Sequence, residues 1–134
     1  MRREMTLEEA KRVLKAALRK AEELEVRCAV AVVDERGWLV ALWRMDGAPS
    51  PTAEIARDKA WTAAAFRMPS AEIGRFGDPS QPGYGLKAHD WNDRLTTLPG
   101  GLPLWRDGML LGAVGVAGAG ERDPEICEAG ADAL

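Results

Sequence analysis

The sequence has a single histidine, His89, which excludes a metal site built from several imidazoles and leaves a Ser-His-Asp triad without identifiable partners. Its two cysteines, Cys28 and Cys127, lie far apart inside apolar periodic segments. With no CxxC spacing, they read as buried thiols in a reducing compartment rather than as a zinc pair or a disulfide. Charge of one sign is also missing: the formal net charge is -3, and the basic residues are scattered among acids, which argues against nucleic acid as a partner. No apolar run is long enough to span a bilayer. Met1 to Glu4 leads straight into a charged helical pattern without a signal-peptide core, so a cytoplasmic location is expected. No internal repeat or low-complexity tract is visible.

Phenylalanine and tyrosine are scarce, but tryptophan is not: Trp38, Trp43, Trp61, Trp91 and Trp105 must all be placed, and one small domain can hardly hide them all. An exposed aromatic patch marks an interface, so a homo-oligomer is expected. The length of 134 residues fits one domain over 1–134, large enough to bury a core without disulfide or metal staples.

Thr6-Leu7-Glu8-Glu9 is a capping box, and Leu7, Ala10, Val13, Leu14, Ala17, Leu18, Ala21 and Leu24 recur at three and four residues. This predicts an amphipathic helix from Leu7 to about Glu25. Cys28 to Val33 and Trp38 to Trp43 are apolar runs around Asp34-Glu35-Arg36-Gly37, a hairpin that Gly37 closes with positive φ. Neither run alternates, so both strands should be covered on both faces. A second hairpin joins Leu102–Trp105 to Met109–Val116 through Arg106-Asp107-Gly108.

Between the hairpins, a helix is expected from Pro51 to about Phe66, and a short one from Ser70 to Arg75. Residues 77–92 form a loop rich in Gly and Pro, and Arg94–Leu98 is a short candidate strand ended by Pro99-Gly100-Gly101. A last helix takes Asp123 as N-cap and Pro124 as its first residue. The order implies an α/β (α+β) fold, an antiparallel five-stranded sheet sandwiched by helices.

Projected at 100° per residue, Ile55, Lys59, Thr62 and Phe66 share one helical stripe, beside a smooth one of Ala56, Ala60 and Ala63. Lys59 has no i,i+4 acid within the helix, so its ammonium either snorkels to water or meets an anion from elsewhere, from Asp46 or from a ligand carboxylate. The alanine stripe permits close approach to the sheet or to another subunit. Leu111 to Gly120 is a glycine-lined strand running towards a helix, but it carries neither GxGxxG nor GxxxxGK[ST], and Glu121 and Asp123 would repel a phosphate there. Such a strand lets a flat ligand or another backbone come close. His89 sits in the polar loop Lys87-Ala88-His89-Asp90, where it is either solvated, a single axial metal ligand, or a general base beside Asp90 or Asp93. Arg44, Asp46 and Asp58 are the other candidate polar residues, while Glu54 with Asp58 reads as an exposed face.

Val30-Ala31-Val32-Val33-Asp34, Arg44-Met45-Asp46-Gly47-Ala48, Lys59 to Phe66, Tyr84-Gly85-Leu86, Pro99-Gly100-Gly101-Leu102-Pro103 and Gly112 to Gly118 stand in an order that resembles the GlcG/HbpS-like proteins over nearly the whole chain. That family includes haem-binding HbpS and the C-terminal domain of PduO-type adenosyltransferases. The resemblance implies a profilin-like sandwich, symmetric oligomers from dimer to octamer, and a pocket for a flat, carboxylated molecule such as haem or a corrinoid. Carried onto this sequence, the ligand-binding candidates are Arg44, Asp46, Lys59, Tyr84, His89, Gly100 and Gly101, with His89 as the metal ligand.

Two functions of different class follow. One is a binding protein whose cavity, lined by Trp and Gly and edged by Arg44 and Lys59, holds a tetrapyrrole or another small acid. The other is an enzyme acting on a small carboxylate, with Lys59 or His89 as acid/base and N–H groups of the glycine bend as an oxyanion site. The lack of a nucleophile–base pair weakens the enzyme.

Overall fold

A computed structural model of the chain describes residues 4–85 and 92–134. The Thr6 capping box forms as expected: the Glu9 N–H donates to Thr6 Oγ1 at 3.1 Å and the Thr6 N–H donates to Glu9 Oε1 at 3.0 Å, starting helix α1 (Leu7–Glu23). Ala10, Val13, Leu14, Ala17 and Ala21 form its buried stripe, whereas Leu7, in the first turn, stays 55% exposed.

Strands β1 (Ala29–Asp34) and β2 (Leu39–Arg44) make the first hairpin, and β3 (Gly101–Arg106) and β4 (Met109–Ala117) make the second. They combine into one antiparallel sheet in the order β2-β1-β4-β3. Gly37 has φ +89° at the first turn, and Asp107-Gly108, at φ +50° and +77°, close the second.

Alternation along the strands sorts the side chains by size. Val30, Val32, Leu104, Val114 and Val116 pack with α1 and with helix α3 (Asp123–Asp132) on one face. Ala29, Ala31, Val33, Ala113 and Ala117 meet Ala56, Ala60, Ala63 and Ala64 of helix α2 (Thr52–Phe66) on the other. The small residues let α2 lie close to the sheet, and at Gly115 any Cβ would overlap the Ala56 carbonyl oxygen. The close approach that the glycine-lined strand permits is therefore made by a backbone, that of α2.

Three expectations are corrected. The described residues form four strands, not five: Arg94–Leu98 is not a strand, because its backbone groups bond to side chains. Thr62 Oγ1 donates to the Arg94 carbonyl (3.4 Å) and accepts the Thr96 N–H (3.0 Å), and Asn92 Oδ1 accepts the N–H groups of Arg94 and Leu95. β2 is not covered on both faces, since it is an edge strand and leaves Trp38, Leu39 and Trp43 exposed. Asp123 does not cap α3: Arg122 holds the N-cap position with no side-chain bond, and the Asp123 carboxylate is engaged elsewhere. A 3-10 segment, Ser70–Gly77, occupies the place of the short second helix. No described helix is long and apolar enough to cross a membrane.

Candidate ligand-binding site

Lys59 lies near the middle of α2 and is 3% exposed, so its ammonium needs partners. It donates to the Val116 carbonyl at 2.8 Å, near the end of β4, and to Asp123 Oδ2 at 3.0 Å, at the start of α3. The other carboxylate oxygen, Asp123 Oδ1, accepts the Ala119 N–H at 2.8 Å. One buried ion pair thus joins α2, the end of β4 and α3. The anion is Asp123; Asp46, the acid weighed from the sequence, lies exposed in the turn after β2.

Gly100, at φ +119°, makes room for this pair: a Cβ there would stand 2.8 Å from the Val116 oxygen and 3.1 Å from Lys59 Nζ. Its carbonyl accepts the Val116 N–H at 2.8 Å. Ser70 fixes the same bend, donating its hydroxyl to the Leu98 carbonyl and accepting the Gly101 N–H, each at 2.8 Å. The Gly101 N–H is therefore engaged, which removes one donor from the oxyanion reading of this bend.

Beside the ion pair opens a pocket of about 590 Å³, lined by Lys59, Asp123, Glu121, Leu98, Pro99, Gly120 and Pro124. Cys127, buried in α3, has a thiol that donates to the Val114 carbonyl at 3.4 Å. Burial pushes that thiol far above its ordinary range, although Lys59 pulls the other way. Burial, reinforced by the Asp123 charge, likewise pushes Cys28 up to about 11, and its sulfur lies 3.9 Å from Met45 Sδ. Both cysteines are buried and free, as their apolar surroundings in the sequence suggest.

The structure brings Lys59, Gly100 and Gly101 together. Arg44, exposed at the end of β2, Asp46, whose carbonyl accepts from Arg27, and Tyr84, 59% exposed in its loop, do not line this pocket, and neither does any of the described tryptophans Trp38, Trp43, Trp61 and Trp105. His89 lies outside the described residues. Sequence reasoning missed Asp123 and Ser70. For Asp123, the available signal was an acid beside a proline at a glycine-rich strand-to-helix junction, facing a lysine without a partner in its own helix.

A second polar pair lies on the opposite face of the sheet. Glu9, 2% exposed, is bonded to Arg106 at the end of β3. Burial alone would raise its carboxyl, but the Thr6 N–H, the Arg106 guanidinium and the Thr6 hydroxyl outweigh burial and hold it down at about 2.

An antiparallel sheet between helices, with an apolar pocket at one buried ion pair, defines a mixed α/β domain with one candidate ligand site. The chain belongs to the HbpS-like family, whose model, described as haem-degrading protein HbpS-like, matches residues 5–132. It is 36% identical over 125 residues to the corrinoid adenosyltransferase PduO of Citrobacter freundii, covering 92% of this chain and 37% of that protein. It thus spans little more than a third of that relative's length. Among solved structures, the PduOC:heme complex superposes with a TM-score of 0.91 at 32% identity, covering 98% of this chain and 96% of that one. The crystal structure of HbpS superposes with a TM-score of 0.88 at 32% identity, covering 100% and 92% respectively.

The side chains at the pocket bear on how such a group would be held. Among the described residues that line it there is no imidazole, thioether, thiol or phenol, so these residues supply apolar contact but none of the usual axial ligands of haem iron. Nor do the described residues contain a group of three or more His, Cys, Asp or Glu placed to hold a metal ion.

Proposed function

We propose that this chain is a small-ligand-binding protein and that its ligand is haem or another tetrapyrrole, a corrinoid included. The observation that carries the reading is the pocket beside Lys59 and Asp123, whose volume of about 590 Å³ falls within the range of small-molecule sites, on a fold that a 32%-identical relative shares in its heme complex. Leu98, Pro99, Gly120 and Pro124 would contact the face or edge of the macrocycle, and Gly100, lacking a Cβ, leaves room for the ion pair beside them. His89 stays the axial donor proposed on sequence grounds.

The acid/base reading is less well supported, because the Lys59 amine is bonded to Asp123 and Val116 and the Gly101 N–H to Ser70. A homo-oligomer is proposed as well, on the exposed Trp38 and Trp43 at the β2 edge and Trp105 at the β3 edge. Light scattering behind size-exclusion chromatography should give more than a monomer mass at micromolar concentration.

The test of the ligand is a haemin titration of the purified protein followed by absorption and tryptophan fluorescence. Saturable binding at about one equivalent per chain is expected, with a Soret band that shifts in His89→Ala. Non-saturating spectra, identical to haemin with a bystander protein, would remove the tetrapyrrole reading.

A further inference from the structure

The notable property of this pocket is its charge. Among the described residues that line it Lys59 is the one cation, and two of the three ammonium hydrogens are engaged by Val116 and Asp123 with the side chain 4% exposed. Asp123 is equally engaged, through both oxygens and with its side chain 7% exposed. The pair is neutral as a unit. What remains at the lip is Glu121, an exposed carboxylate that forms no ion pair among the described residues, while its neighbour Arg122 is turned to Glu125 at 3.7 Å. The positive end of α3 does not reverse this sign, because its first turn carries Asp123 and Glu125 and its second residue is Pro124, which has no N–H. The remaining lining is Leu98, Pro99, Gly120 and Pro124, which offers apolar surface.

We infer that this pocket selects an apolar ligand whose group at the Glu121 lip is neutral or cationic, and disfavours a free carboxylate or other anion there. The inference rests on the reading that the pocket is the ligand site. It adds an orientation: a dicarboxylate tetrapyrrole enters by its apolar edge with its acid groups turned to solvent. A fully amidated or esterified macrocycle has no such restriction. Two like charges about 5 Å apart repel enough to weaken binding roughly four-fold in bulk water and more than about a hundred-fold at the lower effective dielectric near a protein surface, so at least a several-fold difference is expected.

The experiment compares two fluorescent probes that differ by one anionic group, neutral N-phenyl-1-naphthylamine and anionic 1-anilinonaphthalene-8-sulfonate, titrated into the full chain and its Glu121→Gln and Glu121→Lys variants. The expected result is saturable binding of the neutral probe, several-fold or more weaker binding of the sulfonate, and a gap that narrows in Glu121→Gln and closes or inverts in Glu121→Lys. Three results would overturn the inference: no binding of either probe, a sulfonate that binds as tightly as the neutral probe, or a gap that neither substitution moves. Circular dichroism confirms that the exposed substitutions leave the fold intact. Failure of haemin to bind while the neutral probe behaves as described would remove the tetrapyrrole reading alone.

Discussion

Lys59→Met separates two roles for the buried lysine. Were a ligand the partner of its ammonium, the apolar replacement would leave the free protein as stable as before. The structure makes Asp123 the partner, so the substitution strands a carboxylate that is 7% exposed and keeps only the Ala119 N–H, and it also removes the donor at Val116. Breaking one side of a buried pair costs about 3–5 kcal/mol, a large share of the roughly 5–15 kcal/mol that holds a domain folded. For a chain of 134 residues this lowers Tm by roughly 10–18 °C. Urea denaturation at fixed protein concentration should show a lower midpoint with an unchanged m-value. The double variant Lys59→Met/Asp123→Asn, which keeps an oxygen for the Ala119 N–H but removes the charge, should recover about 2 kcal/mol or more. A single variant within about 0.5 kcal/mol of the parent, or a strictly additive double, would refute the ion pair as a stabilising element.

Glu9 supplies a pH dependence of known sign. Its folded-state carboxyl titrates at about 2 against an ordinary 4.5, so it contributes on the order of 3 kcal/mol above about pH 4.5, and that contribution drains away as pH falls to about 2. Glu9→Gln should flatten that part of the stability–pH curve, and an unchanged slope would count against it. At the second hairpin, Gly108→Val has open space for its side chain but not the φ of +77°, so it should cost on the order of 1 kcal/mol or more in thermal unfolding. Gly115→Ala meets a wall instead, the Ala56 carbonyl, and should cost more than about 3 kcal/mol or prevent folding, seen as loss of soluble protein or of a cooperative transition. Cys28 and Cys127 should resist a disulfide reagent in the native state at pH 8 and react fully in denaturant; rapid native labelling would contradict their burial.

Most of the fold was legible because its signals are local. The Thr6–Glu9 box needs four residues, the Asp107-Gly108 turn needs two, and the strands of the central hairpins announce themselves as valine-rich runs. Where the reading failed, the deciding facts were relations between distant elements. An apolar run such as Leu39–Trp43 looks the same at the centre or the edge of a sheet, and only the order β2-β1-β4-β3 leaves it half exposed. Arg94–Leu98 has the composition of a strand, but Thr62, more than thirty positions earlier in the chain, takes the hydrogen bonds a neighbouring strand would need.

The candidate site was legible as a question rather than as an answer. An ammonium on the Ile55–Thr62–Phe66 stripe with no acid one turn away implies a partner from another element, and the sequence goes no further. Asp46 and Asp123 both qualify by type. What decides between them is the geometry of the sheet: β4 must end beside the middle of α2, and Gly118 and Gly120, both at positive φ, must turn the chain so that α3 begins beside Lys59. The same turn that neutralises the lysine also sets Glu121 at the mouth of the pocket. Stability and the proposed ligand selection are therefore linked through one short segment, Gly118 to Pro124. A substitution there should be judged by both measurements, since Asp123 would report mainly in the unfolding curve and Glu121 mainly in the charge preference of the ligand.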